Sequence, residues 1–401
     1  MIVDRAAWTL DPGVTFLNHG SFGACPIPVQ RAQQEWRDRL EAEPVTFLGR
    51  ELEGHLDLAR SELGAFLGAD PDDLAFVANA TTGVNTVLRS LRFEPGDEIL
   101  STDHEYNAAL NAVRYVAERD GARVIPAEVP FPIGAPEQVT EAILRRVTPR
   151  TRLALVSHVT SPTALVFPIA DVVAALADRG VDTLVDGAHA PGMMPLALDA
   201  IGAAYYTGNC HKWLCGPKGS AFLHVRRDRQ AGVRPLVISH GANAARADRS
   251  RFRVEFDWTG TADPTAFLSL PTAIRFMASA LPGGWPALME ANRSLALAGR
   301  DLLCQALGVE APAPDQMLGS MAAVPLPLSE PKLPPGATTF DTALFEAYHI
   351  EVPITAWPVD AVEAPGGRPP ARFVRISAQR YNDIGQYAAL ADALGEMFGH
   401  A

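Results

Sequence analysis

The sequence predicts an α/β chain: a large domain on a mainly parallel seven-stranded sheet flanked by helices, then a smaller α+β C-terminal domain. Three observations predict it. Between Leu74 and Val225, short apolar runs alternate with stretches of three- and four-residue hydrophobic spacing, the pattern of strand and crossover helix. Residues 181–219, VDTLVDGAHAPGMMPLALDAIGAAYYTGNCHKWLCGPKG, read as strand, loop, strand and loop leading to a third strand. A chain of 401 residues with 48% hydrophobic content can also bury a core large enough for two domains.

Taken in order, Thr15 to Cys25 is punctuated by glycine and reads as an irregular segment. Helical spacing follows at Val29 to Glu41 and Gly49 to Leu67. Leu74 to Ala78 is the first strand of the sheet, and Asn79-Ala80-Thr81-Thr82-Gly83 turns into a helix over Val84 to Leu91. Strands are expected at Glu98 to Ser101, Arg123 to Pro126 and Leu153 to Ser157, with helices at Ala108 to Glu118 and Pro136 to Val147. A helix at Ala170 to Arg179 crosses back to the strand Val181 to Asp186. Ala203 to Thr207 and Ser220 to Val225 complete the sheet. Helices at Thr265 to Ala280 and Trp285 to Leu307 lead to strands at Met321 to Val324, Glu351 to Ala356 and Phe373 to Ser377. Helices at Phe340 to His349 and Asp383 to Phe398 complete the set.

Bulk properties exclude several functions. A net charge of −12 argues against nucleic acid, which needs a basic face. No apolar run approaches the roughly 20 residues that span a bilayer, and MIVDRAAWTLDPG lacks the apolar core of a signal peptide. The four cysteines, Cys25, Cys210, Cys215 and Cys304, are scattered, as suits reduced thiols in a cytoplasmic enzyme. Cys210 and Cys215 lack metal-ligand spacing, so no metal site is expected.

Ligands of open α/β sheets sit outside the carboxyl ends of the strands. Asp186 and Lys212 both fall at such ends, so an acid and an amine can face one cleft. Of the 34 basic side chains only Lys212, Lys218 and Lys332 are lysines. Bonding to a carbonyl cofactor takes a primary amine, and a guanidinium does not serve. Two of the three lysines flank one short turn, which is where an amine is needed; Lys218 reads as structural. Thr81 and Thr82 at a helix start make a cradle for an anion, although an ordinary helix cap would use the same residues.

Asp186-Gly187-Ala188-His189, followed by Asn209-Cys210-His211-Lys212-Trp213 and Gly216-Pro217, resembles the class V aminotransferase group of fold-type I pyridoxal-phosphate (PLP) enzymes. Cysteine desulfurases, kynureninases and isopenicillin N epimerases belong to that group. The Asn-x-His-Lys-Trp variant most resembles the isopenicillin N epimerase-like branch. The resemblance spans Phe16 to about Asn382. It implies an N-terminal segment on the active site (residues 1–25), a PLP-binding large domain (26–270) and a small domain (271–401). It also implies roles for residues. Lys212 bonds the cofactor and moves a Cα proton. Asp186 keeps the pyridine nitrogen protonated, and His189 meets the ring oxygen. Thr81, Thr82, Asn209 and His211 hold the phosphate. His104 stacks on the ring, with Tyr106 as an acid or second stacking group. Arg375 takes the substrate carboxylate, and Asn18, His19, Ser21 and Ser161 are further substrate contacts. Thr261 reaches the cofactor of the partner in a homodimer.

The reaction expected from the resemblance is epimerisation at Cα of an amino acid. A β-eliminating C–S lyase or an aminotransferase is the alternative, and an inert PLP-fold binding module is the alternative of another class. Desulfuration is disfavoured, because residues 322–401 contain no cysteine. Ser161, where desulfurases carry Asn, points the same way. Epimerisation needs a proton-mover on each face; Tyr106, His104 and His19 are the candidates beside Lys212.

Overall fold

The computed structural model describes residues 5–358 and 371–399. Seven strands form the central sheet: β1 (Leu74–Val77), β2 (Glu98–Thr102), β3 (Arg123–Ala127), β4 (Thr151–Ser157), β5 (Asp182–Asp186), β6 (Tyr205–Asn209) and β7 (Ala221–Val225). Their spatial order is β1-β7-β6-β5-β4-β2-β3, and β7 alone runs against its neighbours. Every residue of β2, β6 and β7 is buried, because helices cover both faces. Side chains alternate between two cores: Ile99, Leu155 and Leu184 enter one, and Leu100, Val156 and Val185 the other.

A second, antiparallel sheet has the order β9 (Ile354–Trp357), β10 (Ala371–Ser377), β8 (Met321–Pro325). The helices Gly284–Leu307 and Ile384–Phe398 pack together beside it. Among the described residues no helix is long and apolar enough to cross a membrane.

Several expected elements differ from what is observed: the segment Thr15 to Cys25, expected to be irregular, holds the strand Thr15–Phe16 and the short helix His19–Phe22, and the helix expected from Val84 starts at Ala80. Proline explains two further differences. The strand expected over Glu351 to Ala356 breaks at Val352-Pro353, since proline has no N–H for a ladder. Its first half, Ile350–Glu351, pairs in parallel with Thr15–Phe16, and its second half becomes β9. The helix expected over Thr265 to Ala280 splits into Thr265–Leu268 and Leu270–Ala278 at Ser269, two residues before Pro271. The strand expected at Ala203 to Thr207 starts two residues late. A short helix, Leu198–Ile201, precedes it and is capped by left-handed Gly202 (φ +70°). β6 therefore runs through Asn209 and delivers His211 and Lys212 directly to the carboxyl edge of the sheet.

The N-terminal segment is sewn to the far end of the chain. Leu17 N donates to Glu351 O and Ser377 N donates to Leu17 O, both at 2.9 Å. Residues 19–22 are thereby placed beside the central sheet's carboxyl edge.

Candidate active site

The carboxyl ends of β4, β5 and β6 open onto a cleft of about 470 Å³. In-register pairing sets Ser157 beside Asp186 and Asp186 beside Thr207. Asp186, His189, Lys212, Tyr106, Ser161 and Arg375 all line the cleft, so the acid and the amine share one cavity.

Asp186 is buried and accepts a hydrogen bond from Ala188 N at 3.0 Å. Burial pushes its carboxyl above the usual range, while Lys212 and the Ala188 N–H oppose that shift. Lys212 is pushed down to about 7 by burial and by the nearby Arg375 guanidinium. With His189 neutral, the hydrogen-bond pattern also fits a neutral amine. Trp213 Nε1–H can only donate, and it lies 3.4 Å from His189 Nδ1. A neutral His189 ring, which burial enforces, then carries its proton on Nε2. That nitrogen lies 3.0 Å from Lys212 Nζ, and an ammonium would offer it no lone pair.

The helix Ala80–Ser90 points its N-terminus at the same space. Its first donors are partly used: Ala80 N donates to Asn209 Oδ1, and Thr82 N and Oγ1 donate to Asn79 Oδ1. Thr81 lines the cleft. Thr82 does not; one residue further round the helix, it faces a neighbouring groove. Asn209 thus orients the helix start while still lining the cleft. A Cβ on Gly83 would lie 2.1 Å from Thr207 Oγ1, so glycine lets the helix seat on β6. His211 lines the cleft, with Nδ1 3.3 Å from the Ser220 carbonyl.

Arg375 is buried on β10. Its Nη1 donates to Ser161 O (2.6 Å) and Ser161 Oγ (3.2 Å), and its Nη2 donates to Ser21 Oγ (3.0 Å). Its Nε is buried with no hydrogen-bond partner among the described residues. A two-point carboxylate clamp would take up that free donor.

Besides Thr82, four predicted residues lie elsewhere. His104 is wholly buried, its ring held by Thr163 Oγ1 (2.7 Å) and Val129 O (3.0 Å) and packed against Phe131, Phe167 and Trp357. The turn after β2 drives it into the core and presents Tyr106, two residues on, to the cleft. His19 is also wholly buried, beneath Gly20, Ser21 and Phe22, which line the cleft in its place. Asn18 turns away to donate to Glu351 Oε1 at 3.0 Å. Thr261 is exposed on a loop bordering the neighbouring groove, outside this chain's own cleft.

Lys218, read from the sequence as structural, also reaches the site, and Glu105 escaped the sequence reading. Lys218 reaches the cleft edge and donates to Gly23 O at 2.8 Å. Glu105 is wholly buried and accepts from Ser157 N, Ser157 Oγ and Thr102 Oγ1. Burial and the nearby Asp186 push it up to about 8, although the Ser157 and Thr102 hydrogen bonds oppose this. One acid in a polar run gives no sign of burial in the sequence.

These donors fit one cofactor. A buried carboxylate suits a pyridine nitrogen, a neutral amine suits an aldehyde, and a helix start with Thr81 and His211 suits a phosphate. The fold and site define a PLP-dependent enzyme of fold type I. Residues 26–333 match the family model described as Aminotransferase class-V. The chain is 36% identical over 409 residues to isopenicillin N epimerase of Amycolatopsis lactamdurans, covering 98% of this chain and 97% of that protein. It is 31% identical over 408 residues to a probable chloroplastic L-cysteine desulfhydrase of Arabidopsis thaliana, covering 96% and 83%. The structure of the cysteine desulfurase CsdA from Escherichia coli superposes with a TM-score of 0.79 at 21% identity, covering 98% of this chain and 97% of that one. The chain belongs to the class V aminotransferase family, and it acts with PLP at Cα of an amino acid.

Proposed function

We propose that the enzyme epimerises an amino-acid substrate at Cα. The observation that supports this reading is the makeup of the cleft. Of the three candidates for a second proton-mover, Tyr106 lines it, whereas His104 and His19 do not. Bound PLP supplies an electron sink that makes a Cα proton removable near neutral pH. Arg375, steadied by Ser161 and Ser21, holds the substrate carboxylate. Lys212, about half neutral at pH 7, takes the Cα proton on its own side. Tyr106, which lines the same cleft as Arg375, returns a proton on the other side. Asp186 holds the ring nitrogen, His189 keeps Lys212 oriented, and Thr81, Asn209 and His211 define the phosphate end.

In deuterated water, recovered substrate is expected to carry deuterium at Cα with inverted configuration. Tyr106→Phe should lose roughly 10²-fold in inversion while still exchanging the proton on the Lys212 side. Pyruvate and ammonia from a cysteine substrate, with no inversion, would instead establish a β-eliminating lyase. That is the second reading, favoured by the desulfhydrase relative.

The three-part division at residues 25 and 270 and a cytoplasmic location belong to the same reading; the four thiols are unpaired. So does a homodimer in which Thr261 reaches the partner's phosphate. Its loop borders a groove that shares Ala78 and Gly219 with the cleft, and Leu236, Val237 and Ile238 are exposed nearby. Light scattering is expected to give twice the chain mass, and Thr261→Ala to weaken PLP binding roughly tenfold, about the worth of one hydrogen bond. A monomer that retains full PLP affinity rules this arrangement out.

A further inference from the structure

Residues from opposite ends of the chain close on the backbone of Lys212. The buried His19 ring meets Tyr381 Oη through Nδ1 at 2.8 Å and the Lys212 carbonyl through Nε2 at 3.0 Å. A carbonyl only accepts, so Nε2 carries the ring proton. Burial holds the ring neutral, pushing it down to about 3, so Nδ1 is an acceptor and Tyr381 donates to it. The ring packs 4.8 Å from Trp213. Cys215 and Gln379 are its remaining polar neighbours, and Lys212 and Lys218 are the charged groups acting on it.

The Lys212 carbonyl lies in a loop between β6 and β7, outside any regular ladder. Its backbone partner is Cys215 N at 3.0 Å, in a tight turn. The N-terminal segment is seated directly on this loop: Gly23 has φ +69°, and a Cβ there would lie 2.0 Å from the His211 carbonyl oxygen. A lysine side chain is long and flexible, so the place of its amine depends on how firmly its backbone is held.

We propose that His19 is a positioning residue for Lys212. The chain Tyr381–His19–Lys212 carbonyl fixes the backbone from which the amine projects. It ties the amine's place beside His189 and Arg375 to the docking of the N-terminal segment on the C-terminal half. The functional meaning of this rests on the reading of Lys212 as the cofactor's amine, but the geometry and its test do not.

The test is competitive labelling of lysine amines in the cofactor-free protein across pH, with Lys212 followed by peptide mass spectrometry. Wild type should show a midpoint near 7. In His19→Ala the released amine should titrate about one unit higher, so labelling at pH 7 falls roughly fivefold. His19→Gln retains an N–H able to reach the carbonyl and should keep most of the wild-type rate. Tyr381→Phe leaves the ring in place but removes its anchor, and should shift the midpoint part of the way. It carries the test if His19→Ala fails to fold. Lower melting temperatures with a wild-type Lys212 midpoint in His19→Ala and Tyr381→Phe would overturn the proposal, as would His19→Gln behaving like His19→Ala. A wild-type protein that binds no PLP would sink the cofactor reading and leave this result standing.

Discussion

Lys212→Ala is expected to lose Cα-proton exchange by at least about 10³-fold, since in the proposed mechanism one residue supplies both the covalent anchor and a proton-mover. Borohydride reduction of the wild type with PLP should fix the cofactor's mass on the Lys212 peptide, and the variant should show none. The pH dependence separates this amine from an ordinary one. Burial and Arg375 bring Lys212 down to about 7, and the reactive form is neutral. Capture of PLP by cofactor-free enzyme, followed by absorbance, should therefore rise roughly tenfold per unit below pH 7 and level off above it. An unperturbed lysine would keep rising toward its usual value of about 10.4. A rise that continues through pH 9 would show that the amine is not held where the cleft places it.

Asp186→Asn should lower turnover by about 10²-fold or more, because in the proposed mechanism the carboxylate that would pair with the ring nitrogen is replaced by a neutral amide in a buried site. The same change should make the cofactor-free protein more stable at neutral pH. The folded-state pKa of Asp186 is raised by burial, above the unfolded value of about 3.9. The folded protein therefore holds its proton to higher pH than the unfolded chain does. An ionised Asp186 costs stability, and the cost grows as pH rises above the unfolded value. Asparagine removes that cost. Thermal melts of the two proteins at pH 4 and pH 7 measure it: the gap should widen at pH 7. Activity lost together with stability gained identifies a residue kept for chemistry. A variant that is both active and less stable would contradict this assignment.

The acid at the end of one strand and the amine just past the end of the next were legible because residue type and strand position coincide there. Seven apolar runs with helical spacing between them gave the sheet, and the scarcity of lysine marked the amine. The helix start at Asn79 to Thr82 was legible as a cradle, yet its hydrogen bonds were not. Asn79 and Asn209 take two of the first-turn groups, leaving Thr81 at the cleft while Thr82 faces away. His104 and Tyr106 show the limit most directly. They are two residues apart in one polar turn, and only the path of that turn after β2 decides which ring reaches the cleft.

By itself, then, the sequence determined the order of strands and helices and the residue types at the sheet's carboxyl edge, because hydrophobic spacing and side-chain chemistry are local properties. The tertiary structure decided which face each polar residue presents and which distant segments meet. His19 and Tyr381, 362 residues apart, converge beneath Lys212. That convergence comes from the pairing of Thr15–Phe16 with Ile350–Glu351 and of Leu17 with Ser377, a long-range choice that no local pattern encodes.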